Sequence, residues 1–228
     1  MSIAADFVSL FFPRYCQACL DSLVKGEDTF CTRCIAELPK TNYHRQPGNP
    51  VEAKLAGRLP LSHGWAFLKF KKGGIVQHLL HQLKYNNHPE VGIALGRIFG
   101  HELKTAGLSS GFDVIIPVPL HELRKRRRGY NQSAKLAEGL SYSMAVPWDE
   151  SISIRKMKAV TQTRKSKIER WDNVKDVFAV ADNRSLQGKR ILLVDDIITT
   201  GSTLEACGQH LMTAGCQELS VACIAEAQ

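Results

Sequence analysis

The sequence predicts an α/β protein: an open, mostly parallel sheet flanked by helices, preceded by a small four-cysteine module. Three observations carry this. From Gly64 onward, short apolar strand patterns alternate with helix-period segments, the order that builds a parallel sheet covered on both faces. A buried-strand signal, ILLV at residues 191–194, runs straight into Asp195 and Asp196 and then into a hydroxyl-rich turn. Near the start, Cys16, Cys19, Cys31 and Cys34 are spaced C-x2-C-x11-C-x2-C.

The elements follow in order. MSIAADFVSLFFP is apolar but has no basic leader and no cleavage site, so it reads as a short helix or strand packed on the body rather than a signal peptide. Residues 1–45 hold this segment and the cysteine module. Residues 46–63 are rich in proline and glycine and read as a wrapping linker. WAFLKF alternates sides as a strand should. GGIVQHLLHQLKY places Ile75, Leu79, Leu80 and Leu83 on one helical face, and VGIALGRIFGHEL after Pro89 is a second helix. FDVIIPVPL is a buried strand ending in prolines, NQSAKLAEGLSYSM a helix, SISIRK and DVFAV short strands. Residues 157–175 carry no clear period. GKRILLV is a buried strand, STLEACGQHLMTAG a helix beginning near Leu204, and ELSVACIAEA a last strand. The remaining domain thus spans 64–228.

Composition sets limits on function. At 228 residues with 44% hydrophobic and 23% charged content, the chain resembles an ordinary globular protein and is far from disordered. Its longest apolar run falls short of a membrane span, so a cytoplasmic location is expected. Net charge is +8, and it is concentrated. Residues 121–135 and 155–176 each carry a local +5, which leaves the rest of the chain at −2. A solvated surface explains one such run; two in one domain favour a polyanionic ligand, either phosphates or nucleic acid.

The cysteines divide into two sets. Each CxxC places two thiolates on one metal, and two such knuckles complete the tetrahedron that Zn²⁺ prefers. Two disulfides are the alternative, disfavoured in a reducing compartment. Cys207, Cys216 and Cys223 read as small core residues. The eight histidines show no HExxH pattern that would build a catalytic metal site.

In an open parallel sheet, ligands bind outside the carboxyl ends of the strands. Asp195 and Asp196 are expected at that mouth. Thr199, Thr200, Gly201, Ser202 and Thr203 then lead into a helix, offering backbone N–H groups and hydroxyls suited to a phosphate. Carboxylates accept hydrogen bonds from vicinal sugar hydroxyls, so a sugar phosphate satisfies both halves. The apolar strand with its acidic pair also fits a Walker B strand, but no GxxxxGK[ST] loop precedes it. Simple N-capping accounts for one hydroxyl and leaves the aspartates unexplained.

ILLVDDIITTGST resembles the ligand-binding signature of type I phosphoribosyltransferases. With PVPLHELRKRRRGYNQS, the TQ…ERWDNV segment and the CxxC pairs, the chain resembles the ComF family (competence protein F, also called GntX-like) over nearly its whole length. The resemblance implies a type I phosphoribosyltransferase fold and a ligand, 5-phosphoribosyl-1-pyrophosphate (PRPP) or another sugar phosphate, taken with Mg²⁺. By it, Asp195 and Asp196 would be the catalytic pair on the ribose hydroxyls, and Thr199, Thr200, Gly201, Ser202 and Thr203 would hold the 5-phosphate. Pro119, Leu120, His121 and Arg128 would meet the pyrophosphate. Gln162, Arg170 and Asn173 would belong to a mobile catalytic loop, and 64–105 would form a hood over the acceptor. The family also implies a structural Zn²⁺, and as partners single-stranded DNA and the DNA-uptake machinery of natural competence.

Overall fold

The computed structural model describes residues 12–155, 177–181 and 186–227. Most of the apolar start, residues 1–11, and the region holding Gln162, Arg170 and Asn173 lie outside the described residues.

Four strands form one parallel sheet: β1 (His63–Lys69), β2 (Val114–Pro117), β5 (Arg190–Ile198) and β6 (Glu218–Glu226). Their spatial order is β1-β6-β5-β2. A separate antiparallel pair joins β3 (Ser153–Arg155) to β4 (Phe178–Val180). The helices are α1 (Thr32–Glu37), α2 (Pro50–Leu55), α3 (Ile75–Tyr85), α4 (Pro89–Thr105), α5 (Glu122–Arg128), α6 (Gln132–Met144) and α7 (Ser202–Thr213). The expected parallel α/β architecture is present.

The central strands are apolar because both their faces are covered. Ile191, Leu192, Leu193 and Val194 of β5 are fully buried, as are Val221, Ala222, Cys223 and Ala225 of β6. Cys207 and Cys216 are also buried in this core. Helix α6 packs on β2 and β5, and α4 packs closely on α6 through small residues. A Cβ added at Gly96 would lie 2.5 Å from the Leu136 carbonyl oxygen and 3.0 Å from Gly139 Cα. Only glycine lets these two backbones approach so closely.

Two short helices depart from the sequence expectation. The stretch read as a linker contains α2, started by the Asn49 side chain accepting from Val51 and Glu52 N–H, with Pro50 in its first turn. Leu55 of α2 is fully buried and packs against Gly201. The basic run after β2 is helix α5, with His121 as N-cap and Gly129 closing it at φ +85°. None of its residues is buried, so it carries no apolar period for a sequence pattern to detect.

Strand β5 also extends past its apolar run. Pairing with β6 continues through Asp195↔Cys223 and Ile197↔Ala225 to Ile198↔Glu226. The acidic pair therefore sits within the strand rather than just beyond it, and α7 starts at Ser202, two residues before the expected position.

Candidate functional site

Strand alternation sends Asp195 and Asp196 to opposite sides of β5, and their partners differ accordingly. Asp195 Oδ1 accepts from Ser133 Oγ at the start of α6, at 2.9 Å, and from the Asp196 backbone N–H at 2.8 Å. Asp196 Oδ1 receives Lys84 Nζ, from the last turn of α3, at 2.9 Å. Its Oδ2 is buried and has no hydrogen-bond partner among the described residues. Burial, with the neighbouring Asp196 charge second, pushes the Asp195 carboxyl up to about 7, against the opposing pull of its hydrogen bonds and of Lys84.

The turn after the pair has the shape an anion needs. Gly201 adopts φ +79° and caps α7 with no side chain, which leaves the first turn of a 12-residue helix open to a ligand. Thr200 Oγ1 and Ser202 Oγ lie 3.0 Å apart on the exposed side of the loop. A small open cavity of about 30 Å³ is lined by Asp195 and by 197–204. Thr199, Thr200, Gly201, Ser202 and Thr203 thus come together at one helix end, beside Asp195.

Arg58, just past α2, braces this loop from outside. Its guanidinium donates to the Thr200 carbonyl at 2.7 Å and to the Lys54 carbonyl at 3.0 Å, and it pairs with Glu205 in the first turn of α7. Neither Arg58 nor Lys84 stood out in the sequence. Each is one basic residue among many, and its contact spans more than a hundred positions.

The segment following β2 lies beside the same strand end. Val118 N–H donates to Val194 O at 2.8 Å, and Asn131 Nδ2 donates to Val118 O at 2.9 Å. Pro119, Leu120 and His121 follow, partly exposed, with His121 Nδ1 accepting from Leu123 N–H at 3.2 Å. Arg128 lies farther along α5, hydrogen-bonded to Gln132 and 5.7 Å from the Tyr85 ring centroid. Arg124, Arg126 and Arg127 are exposed on the same helix.

At the other end of the chain, one sulfur from each of Cys16, Cys19, Cys31 and Cys34 lies within 4.8 Å of the others. None of these cysteines is in a disulfide. Cys19 Sγ and Cys31 Sγ are 3.8 Å apart, close to the ~3.8 Å edge of a tetrahedron with ~2.3 Å zinc–sulfur bonds. Backbone N–H groups of Ala18 and Cys31 point at Cys16 Sγ, and the Cys34 N–H at Cys31 Sγ, as thiolates in a metal knuckle require. Burial pushes the Cys16 thiol up, but these N–H groups outweigh it and bring it down to about 7. Burial and the neighbouring thiols raise Cys34. The donor set can hold a metal.

A family model described as "Phosphoribosyl transferase domain" matches residues 81–228. The chain belongs to the phosphoribosyl transferase domain family. It is 35% identical over 149 residues to the DNA utilization protein YhgH of Salmonella typhi, a match covering 64% of this chain and 65% of that one. The chain thus spans about two thirds of the length of that relative. It is 29% identical over 225 residues to competence protein F of Haemophilus influenzae, covering 92% of this chain and 96% of that protein. Competence protein ComFC of Bacillus subtilis is 25% identical over 207 residues, covering 85% and 82% respectively. The likeness to the ComF family read from the sequence holds. Among the described residues, no helix of this phosphoribosyl transferase family member is long and apolar enough to cross a membrane.

Proposed function

We propose that the protein binds PRPP at the end of β5 and takes part in the handling of DNA, as its relatives' names say of them. One observation carries the ligand assignment. The acidic pair on β5, Asp196 buried and Asp195 partly exposed beside the loop, runs without a break into a glycine-capped helix end, with Thr200 and Ser202 hydroxyls beside it. Asp195, which lines the cavity beside the loop, accepts from the ribose hydroxyls, and Asp196, next to it on β5, completes the acidic pair assigned to the ribose. The α7 N-terminus, with Thr199, Thr200, Gly201, Ser202 and Thr203, takes the 5-phosphate. Pro119, Leu120 and His121, with Arg128 behind them, take the pyrophosphate. Mg²⁺ bound with the pyrophosphate would supply charge neutralisation for the leaving group. The cationic residues of α5 share that charge. Transfer of the phosphoribosyl group to an acceptor is the reaction such a site supports. Zn²⁺ is assigned to Cys16, Cys19, Cys31 and Cys34, where it closes the N-terminal module, and the protein is placed in the cytoplasm.

Titration calorimetry with PRPP and Mg²⁺ tests the ligand. The wild type is expected to bind and the Asp195→Asn/Asp196→Asn protein to bind at least tenfold more weakly, on the order of 1.4 kcal/mol or more. No binding by the wild type would refute the assignment.

A second reading, a non-catalytic adaptor for single-stranded DNA, is favoured by the exposed cations of α5. Filter binding across a salt series should show affinity falling steeply with salt. Replacing Arg124, Arg126 and Arg127 by alanine should flatten the log–log slope by up to about three. An unchanged slope would remove α5 from the interface.

A further inference from the structure

Helix α4 is seated on α6 by its glycines but left half covered along another stripe. Between it and the cysteine module runs an open groove of about 430 Å³. Phe30 and Ile35 of the module and Ile93, Ala94 and Ile98 of α4 give it an apolar floor, and Glu90 and Arg97 line it as well. Apolar surface of this kind left to water is unfavourable, and a contiguous patch of it marks a surface that something covers. Beside the groove stands Tyr142 of α6, 73% exposed, with the Arg97 guanidinium 4.3 Å from its ring centroid. Among the described residues no carboxylate pairs with Arg97. The module's own carboxylates are already engaged. Glu27 accepts from the Val24 and Thr32 N–H groups at 3.0 and 2.6 Å, and Asp28 pairs with Arg14 at 3.0 Å. Glu90, half exposed, meets only His88 Nδ1, at 2.6 Å and through one oxygen.

We infer that this stripe is a two-fold interface between copies of the chain. Glu90 and Arg97 lie seven residues apart on α4, two turns or about 10 Å along one face, with Ile93 and Ala94 at the midpoint. An antiparallel second copy of α4, with the axis passing between Ile93 and Ala94, sets each Arg97 against the other copy's Glu90. Both pairs form at once, which is the condition for an isologous contact. The stripe is thus complementary in charge to its own reversed image, and that selects a second copy over an unrelated protein. The small side chain of Ala94 near the axis lets the helices approach. Each copy also brings Tyr142 and Arg97, residue types that dominate interface energies, to the apolar floor of the other. The close α4–α6 packing fixes the stripe in advance, so little ordering is lost on association. Neither the sugar-phosphate site nor the metal enters this argument.

Sedimentation velocity on the full-length protein over a concentration series tests it. The wild type is expected to pass from one chain to two as concentration rises, with no larger species. Arg97→Glu and Glu90→Arg each place like charges opposite one another and should each weaken the dimer about tenfold or more. Tyr142→Ala should weaken it on the same scale. The Arg97→Glu/Glu90→Arg protein restores both pairs in reverse and should associate much as the wild type does. A folding defect in the single variants would not be repaired by a second charge reversal, so the rescue separates an interface from a structural role. A wild type that stays a single chain throughout the series would overturn the inference. So would single reversals that associate normally, or a double variant no better than the singles.

Discussion

Substituting Gly96 by alanine tests how tightly the helical layer is built. A methyl at Gly96 would meet the Leu136 carbonyl oxygen at 2.5 Å, Gly139 Cα at 3.0 Å and Leu140 N at 3.0 Å. An ordinary carbon–oxygen contact is about 3.3 Å, so the two backbones must part by about 0.8 Å. All three obstacles are main chain and cannot rotate away. Overpacking of this kind costs about 1–3 kcal/mol, and three simultaneous backbone clashes point to the upper end. Alanine returns about 1 kcal/mol through its better helix propensity. The net is a loss of about 2 kcal/mol, or about 4–8 °C in melting midpoint for a chain of this size. The control is Gly111→Ala, where the added Cβ meets nothing within 4 Å and φ is unstrained. It should stay within about 0.5 kcal/mol of the wild type. Urea unfolding of both variants decides the matter. A Gly96→Ala protein as stable as the wild type, or a Gly111→Ala loss of equal size, would refute the reasoning.

Other expectations follow from the same contacts. The purified protein should carry one zinc per chain by elemental analysis, and Cys34→Ser should lower both that content and the melting midpoint by about 5 °C or more. A wild type with no bound metal would count against the cysteine site. Asp195 gives a pH signature. Its carboxyl titrates near about 7 when folded but near ~3.9 when unfolded, so within that window the folded chain holds a proton the unfolded chain has lost. Stability from this group therefore falls as pH rises through the window. Asp195→Asn cannot ionise, so its midpoint should exceed the wild type's at pH 8, and the gap should close towards pH 4. A gap independent of pH would contradict this. Arg58→Ala removes the brace on the Thr200 carbonyl and should weaken ribose 5-phosphate binding about fivefold by calorimetry, a loss that unchanged affinity would disprove.

The parts of this molecule legible in its sequence are those whose signals are local. ILLV reads as a buried strand because both neighbours cover it, and TTGST reads as a helix start because glycine and small hydroxyls are adjacent in the chain. The cysteine cluster was legible because two CxxC knuckles set their own geometry. The continuation of β5 to Ile198 was not, because the ladder to β6 persists where the apolar pattern stops. Helix α5 carries no buried face, and α2 is too short to show a period, so neither registered. Lys84 and Arg58 were invisible for a different reason. Lys84 acts on Asp196, 112 residues away, and Arg58 on the Thr200 carbonyl, 142 residues away. Only the packing of α3 on α4 and of α2 on β1 makes those distances short.

The position of β6 has a bearing on how the chain comes to be made. It lies between β1 and β5, yet it follows both in the sequence. Until β6 leaves the ribosome, β1 has no neighbour in the sheet and β5 has only β2. Two apolar strand edges then stand open on the nascent chain, the condition that invites pairing with other chains. The sheet, and the carboxylates set in it, can close only when the strand at Glu218–Glu226 slots into the gap, so premature termination a few residues short of it should yield aggregation rather than a weakened protein.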